Sequence, residues 1–131
     1  MGGARELRLV LTVDDLDAAV AFYRDALGLE QLAVFENDGG RGFLLGAGRA
    51  TLELFDESQA AAIDAIEVGR RVAGPVRLAF EVGDTDAMAE DLAGRGGTLA
   101  APPVDTPWGD RNVRMVAPDG MQLTLFSVPR E

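Results

Sequence analysis

The chain of 131 residues contains no cysteine and no histidine. Without thiols there are no disulfides and no thiolate metal sites, and nothing in the composition points to an oxidising compartment. Without histidine the imidazole ligand common to metal centres is missing too. No stretch approaches the ~20 apolar residues of a membrane-spanning helix, and the N-terminal MGGARELR lacks the apolar segment of a secretory signal. The expected location is cytoplasmic. Basic residues are also few, 12 against 22 acidic, and the formal charge of −10 repels nucleic-acid phosphates and anionic membrane surfaces. Neither nucleic acid nor membrane is an expected partner.

What is present is a repeat. RLVLTVDDLDAAVAFYRDALG, from Arg8 to Gly28, returns as RLAFEVGDTDAMAEDLAGRGG, from Arg77 to Gly97, at an offset of 69 (77 − 8). Each copy reads as a strand followed by a helix. Leu7, Leu9, Leu11 and Val13 alternate with Arg8, Val10 and Thr12, the period of a strand with two unlike faces, and the leucine face is the expected core. Asp14 or Asp15 stands where a helix N-cap belongs, and Leu16, Val20, Tyr23 and Leu27 form one apolar stripe ending at Gly28.

Three further strands follow in the first unit: Glu30 to Glu36, Gly42 to Leu45 and Ala50 to Phe55, with a turn at Asn37-Asp38-Gly39-Gly40. Residues 56–75 break the pattern and read as a linker holding a short helix, capped by Ser58 and running to about Val68. The second unit repeats the plan: Val76 to Val82, a helix from Asp84 to Leu92, Thr98 to Ala101, Asn112 to Val116 and Met121 to Phe126. The proline-rich APPVDTPWGD forms an ordered loop, and Pro118-Asp119-Gly120 a tight turn. The predicted fold is α+β: two tandem βαβββ modules, 5–55 and 76–128, form a curved, cup-like mixed sheet within one domain.

A sheet with helices on one face leaves the other to be filled or to hold a ligand. Strand parity predicts the cup lining: Arg8, Val10 and Thr12, then Arg77, Ala79 and Glu81, with Thr51, Glu53 and Phe55 from one fourth strand and Gln122, Thr124 and Phe126 from the other. Of Phe35, Phe43 and Phe55, only Phe55 has the parity to point inward. Charged groups facing a cavity imply either mutual salt bridges, Arg8 and Arg77 with Glu53 and Glu81, or a polar ligand. Trp108, the single tryptophan, lies on the proline-bounded loop, where an indole can stack on a flat ligand or cover the sheet edge.

The paired βαβββ plan, VDDLDAAVAFYRDALG, PWGDRNVRMVAPDGMQLTLF and the glutamate of TLELF together resemble the vicinal oxygen chelate superfamily over about residues 5 to 128. That group includes glyoxalase I, bleomycin-resistance proteins, extradiol dioxygenases, fosfomycin-resistance enzymes and methylmalonyl-CoA epimerase. In its metal-using members four ligands come from the first and fourth strands of each unit. Carried across by motif, the resemblance places those positions at Arg8, Glu53, Arg77 and Thr124. Only Glu53 keeps a ligand type, because arginine is a permanent cation without a lone pair to offer. The expectation is therefore no metal and no cofactor.

The resemblance then implies a homodimeric small-molecule binding protein of the bleomycin-resistance kind. It would hold an aromatic or cationic ligand in the cup through Arg8, Val10, Thr12, Glu53, Phe55, Arg77, Glu81, Trp108, Gln122 and Thr124. The alternative is a metal-independent lyase or isomerase acting on a small carboxylate or carbonyl compound, with Glu53 as general base and the two arginines stabilising a developing enolate. A carboxylate beside two guanidiniums is expected to have a depressed pKa, which counts against that role. A third possibility is a cup filled by the protein's own side chains.

Overall fold

In the computed structural model, which describes residues 2–129, the chain folds into one continuous curved sheet with three helices. The first module comprises β1 (Glu6–Thr12), α1 (Leu16–Val20), a π-helical continuation (Ala21–Ala26), β2 (Glu30–Asn37), β3 (Gly40–Ala47) and β4 (Ala50–Phe55). The linker helix is α2 (Glu57–Val68). The second module comprises β5 (Val76–Glu81), α3 (Thr85–Ala93), β6 (Thr98–Leu99), β7 (Val104–Asp105), β8 (Arg111–Val116) and β9 (Gln122–Ser127). Strand order is β2-β3-β4-β1-β5-β9-β8-β6, with β7 pairing β8. The expected α+β architecture of two tandem modules in one curved sheet is the one observed, with the second module carrying the short strand β7 in addition to the βαβββ plan.

The modules join within the chain through their first strands. β1 runs antiparallel to β5 with Leu9 opposite Leu78. Those two residues are also equivalent in the repeat (9 + 69 = 78), so a pseudo-twofold axis passes through that pair. Arg8 and Arg77 are related by it, one on each central strand.

Local chemistry sets the boundaries. Asp15 and Asp84 cap α1 and α3, each accepting from the N–H three residues on, at 2.9 and 3.0 Å. The linker helix is capped by Asp56 rather than Ser58. The Asp56 carboxylate accepts from Gln59 N at 2.8 Å and also from Arg41 N at 3.1 Å, tying the helix start to β3. The APPVDTPWGD loop is not wholly outside the sheet, since Val104–Asp105 pairs with β8, while the strand expected over Thr98 to Ala101 contracts to two residues.

α1 packs Leu16 and Val20 on Leu45 and Leu54, and α3 packs on Val113, Met115 and Leu125. Both helices lie on the convex side, one over each module. The leucine face expected as core is therefore incomplete: Leu11 joins the α1 cluster, but Leu7 and Leu9, on the central strand between the two helices, are 47% and 37% exposed. Leu27 also leaves the predicted stripe and is 61% exposed. The bond from Leu27 N to Phe22 O spans five residues, and the widened π turn rotates Leu27 away from the core.

The concave side is occupied in part by α2. Ala60 and Ile63 pack on Val10, Phe55, Ala79 and Phe126, forming a buried cluster inside the cup. The approach is close enough to require a glycine below it: a Cβ at Gly40 would lie 2.1 Å from Gln59 N.

Candidate functional site

Between α2 and the concave strands a cavity of about 330 Å³ remains, within the range of small-molecule sites. The linker helix thus fills one part of the cup and forms a wall of the other. Of the predicted ligand-binding residues, Arg8, Glu53, Phe55, Arg77, Trp108 and Thr124 line this cavity. Val10, Thr12, Glu81 and Gln122 do not. Val10 lies beneath α2 in the apolar cluster. The Thr12 N–H bonds Pro75 O at the strand end, Glu81 stands opposite Glu6 at the far end of β5, and Gln122 accepts from Arg114 Nη1 at 3.2 Å. Phe35 does line the cavity, against the parity expectation; the register shift in β2 between Gln31 and Ala33 changes which side chains face in.

Glu53 is the centre of the site. It lies on β4 between Val10 of β1 and Leu44 of β3, and it is 8% exposed. Among the described residues it has no hydrogen bond and no ion pair. Burial pushes its pKa up, and the more distant charges of Arg77 and Arg8 only partly oppose that. This corrects the expectation of a depressed pKa, because removal of water outweighs two guanidiniums that do not touch the carboxyl.

The arginines pair elsewhere. Arg8 Nε donates to Glu6 Oε2 at 3.1 Å, and its guanidinium sits 4.7 Å from the Phe126 ring centre. Arg77 is buried, donates from Nη1 to Thr124 Oγ1 at 2.7 Å, and lies 5.8 Å from the Phe55 ring centre. Burial lowers its pKa, opposed first by the charge of Glu67. Among the described residues neither Arg8 nor Arg77 forms the predicted ion pair with Glu53.

Below Arg77 lies a polar network that links α2 to the second module. Thr124 Oγ1 donates to Glu67 Oε1 at 2.7 Å, and Glu67 also receives Arg114 Nε and Asn112 Nδ2, each at 2.9 Å. Arg114 is fully buried, with Nη2 2.8 Å from Asp64 Oδ1 as an ion pair whose angle falls short of a hydrogen bond. Asp64 Oδ2 in turn accepts from Val72 N and Ala73 N at 2.7 and 2.8 Å. Burial would raise the Asp64 pKa, but those backbone donors and Arg114 bring it below the ordinary value.

At the mouth, the loop before β8 is closed by Thr106 N bonding Asp110 O at 2.8 Å and by Asp110 N bonding Thr106 Oγ1 at 3.0 Å. This holds Trp108 over the opening, 43% exposed, with Nε1 donating to Asp110 Oδ2 at 3.2 Å. Burial raises the Asp110 pKa, against the Trp108 hydrogen bond and the charge of Arg8.

Gln59, Asp64, Glu67, Asn112 and Arg114 lie outside the set that strand parity and resemblance pick out. Asn112 and Arg114 carry a usable signal, since they alternate with Val113 and Met115 on β8. The α2 residues carry none, because a helix rich in alanine does not reveal which face turns inward.

The sequence model of the Glyoxalase/Bleomycin resistance protein/Dioxygenase superfamily matches residues 7–125. The chain belongs to this superfamily. No curated protein sequence matches the chain. Among solved structures, a hypothetical protein from Bacillus halodurans superimposes with a TM-score of 0.74 at 16% identity, over 99% of this chain and 98% of that one. Methylmalonyl-CoA epimerase from Mycobacterium tuberculosis gives 0.69 at 26% identity, over 97% and 90%. A superfamily member from Vibrio splendidus 12B01 gives 0.65 at 15% identity, over 96% and 100%.

The metal positions implied by the superfamily do not suit a divalent ion here. Arg8 and Arg77 offer donors only, Thr124 Oγ1 is committed to Arg77 and Glu67, and a lone carboxyl is left. Among the described residues no group of three or more His, Cys, Asp or Glu side chains is placed to hold a metal. No helix of the described residues is long and apolar enough to cross a membrane.

Proposed function

We propose that this superfamily member binds a small molecule in the cup without a metal, and that the ligand presents an acidic or enolic oxygen group to Glu53 and Arg77. The observation that carries this reading is Glu53 itself: a buried carboxyl without a hydrogen bond or ion pair among the described residues, facing an open cavity. Such a group is costly to maintain, and a ligand oxygen that completes its hydrogen bonding accounts for it. Phe55, Phe126, Ile63 and Trp108 supply the apolar walls. Two guanidiniums beside a carboxyl biased toward its neutral form favour an anionic ligand over a cationic one, despite the negative net charge of the chain.

The test is a thermal-shift screen with chelator present, comparing small aromatic carboxylates and phosphates with cationic glycopeptide and aromatic antibiotics. Ligand at 100 times its Kd adds about 2.7 kcal/mol. A shift with the anions that is reduced in Glu53→Gln and in Trp108→Ala supports the reading. A shift confined to cations refutes the proposed polarity.

The raised pKa of Glu53 supports a second reading, a metal-independent lyase or isomerase. Glu53 in its ionised form would accept a proton from a carbon next to a carbonyl and return it, with Arg77 facing the enolate oxygen. The epimerase among the structural neighbours makes proton exchange a reasonable assay. Solvent deuterium entering a small carbonyl acid in the presence of chelator, and not with Glu53→Gln, would establish it; no exchange across the screen's ligands would leave binding alone.

We also propose a homodimer. Leu7 and Leu9 on the convex face are the apolar surface that a second copy would cover.

A further inference from the structure

Arg77 lines the cavity, and its hydrogen bonding uses only one corner of the guanidinium. Nη1 donates to Thr124 Oγ1 at 2.7 Å. Nε and Nη2 have no hydrogen-bond partner among the described residues, yet neither is shut away from solvent. In a residue only 6% exposed, the accessible part faces the cavity it lines.

Nε and Nη2 form the edge of a guanidinium whose N–H bonds run parallel, the edge that grips both oxygens of a carboxylate. Other arginines of this chain use it in that way. Arg24 holds Asp25, Arg71 holds Glu57 and Arg111 holds Asp86, each through Nε and Nη2 at distances from 2.7 to 3.2 Å. Arg77 presents the same edge with no carboxylate of the described residues on it. Glu53 acts on it only through space, without a hydrogen bond or ion pair.

Thr124 decides which edge stays free. Its hydroxyl carries one proton, which goes to Glu67 Oε1 at 2.7 Å, because a carboxylate only accepts. The hydroxyl lone pairs therefore turn to the arginines, Arg77 Nη1 at 2.7 Å and Arg114 Nε at 3.3 Å. Glu67 belongs to α2, so the linker helix reaches across the cup to fix an arginine of β5. Arg114 Nε also bonds Glu67 Oε1 at 2.9 Å and offsets its charge.

We propose that Thr124 and Glu67 are positioning residues, which together hold Arg77 by Nη1 and leave its Nε–Nη2 edge as a two-point grip for a ligand carboxylate. This rests on the reading that the cup takes an acidic ligand at Glu53 and Arg77, and it narrows that ligand to a planar group with two oxygens. A single-oxygen anion would satisfy only one of the two N–H groups.

Isothermal titration with benzoate and benzamide, in chelator, tests the arrangement. Benzamide keeps the planar shape but has no charge and one acceptor oxygen, so it fills half the grip. The wild-type protein should bind benzoate at least about tenfold tighter than benzamide. Arg77→Lys keeps a cation and removes the fork, and should lose most of that preference. Thr124→Val removes the acceptor at nearly constant shape. Glu67→Asp keeps the charge beside Arg114 but draws the oxygen back from Thr124. Each should lower the preference at least about fivefold, and Thr124→Ser, which restores the hydroxyl, should recover it. A structural role alone would weaken both probes alike and leave the ratio unchanged. That result, or loss of the fold in both Thr124→Val and Glu67→Asp, overturns the positioning role while benzoate binding that needs Glu53 and Arg77 keeps the cup reading. Absence of benzoate binding to the wild-type protein overturns both.

Discussion

Replacing Glu53 by Gln should make the ligand-free protein more stable at neutral pH. The carboxyl is buried, and among the described residues no guanidinium comes within ion-pair distance. At an effective dielectric of about 20, each attraction from Arg77 or Arg8 therefore stays below roughly 4 kcal/mol. Burying the carboxylate itself costs several kcal/mol, and the upward direction of the pKa means that burial prevails. Arg77 is not stranded by the change, because Glu67 acts on it more strongly than Glu53 does.

The sign follows from proton linkage. With a folded-state pKa above the unfolded one, the native protein binds more protons at this site than the unfolded chain, so its stability falls as pH rises. This contribution is fully present below the ordinary glutamate pKa of about 4.3 and declines until pH passes the raised folded value. Urea unfolding of both proteins at pH 4, 5.5, 7 and 8.5 should give curves that agree at the acid end and separate above it. Glu53→Gln should gain about 1 kcal/mol or more by pH 7, a rise of roughly 3–6 °C in Tm for a chain of this length. A wild-type protein that equals or exceeds the variant at pH 7 would refute the reasoning, since Glu53 would then have a partner that satisfies its charge.

Arg114→Met should destabilise by about 3–5 kcal/mol, because it leaves Glu67 buried without the cation that contacts it, while Asp64 keeps its ion pair with Arg71; chemical denaturation would show it, and a loss under 1 kcal/mol would mean the network is dispensable. Gly40→Ala forces a methyl into the backbone of α2 and should cost about 3 kcal/mol or more, read as a lowered denaturation midpoint; near-neutrality would contradict the close seating of that helix. Leu9→Glu should convert the proposed homodimer to a monomer by light scattering and abolish the rise of Tm with protein concentration; a wild-type protein already monomeric at micromolar concentration would refute the dimer.

The repeat carries most of the fold. Arg8 and Arg77, Leu9 and Leu78, Asp15 and Asp84 occupy equivalent positions because each module meets the same local demands: a two-faced strand, a capped helix and a return to the sheet. Strand parity likewise places Arg8, Glu53, Phe55, Arg77 and Thr124 on one concave wall. Parity says which way a side chain points and nothing about depth, so Val10 and Gln122 lie outside the cavity although they share the predicted face.

What the residues alone determined was therefore the architecture and the list of side chains able to reach the cup. Only the tertiary structure decided that α2 enters the cup, that Glu6 and Thr124 rather than Glu53 take the two arginines, and that Leu7 and Leu9 face outward between two helices. The physical reason is range. Capping and alternation act over a few residues and are written locally. The pKa of Glu53, the bond from Asn112 Nδ2 to Glu67 and the exposure of Leu9 depend on groups from distant parts of the chain, whose separations are set only when the two modules and the linker helix pack together.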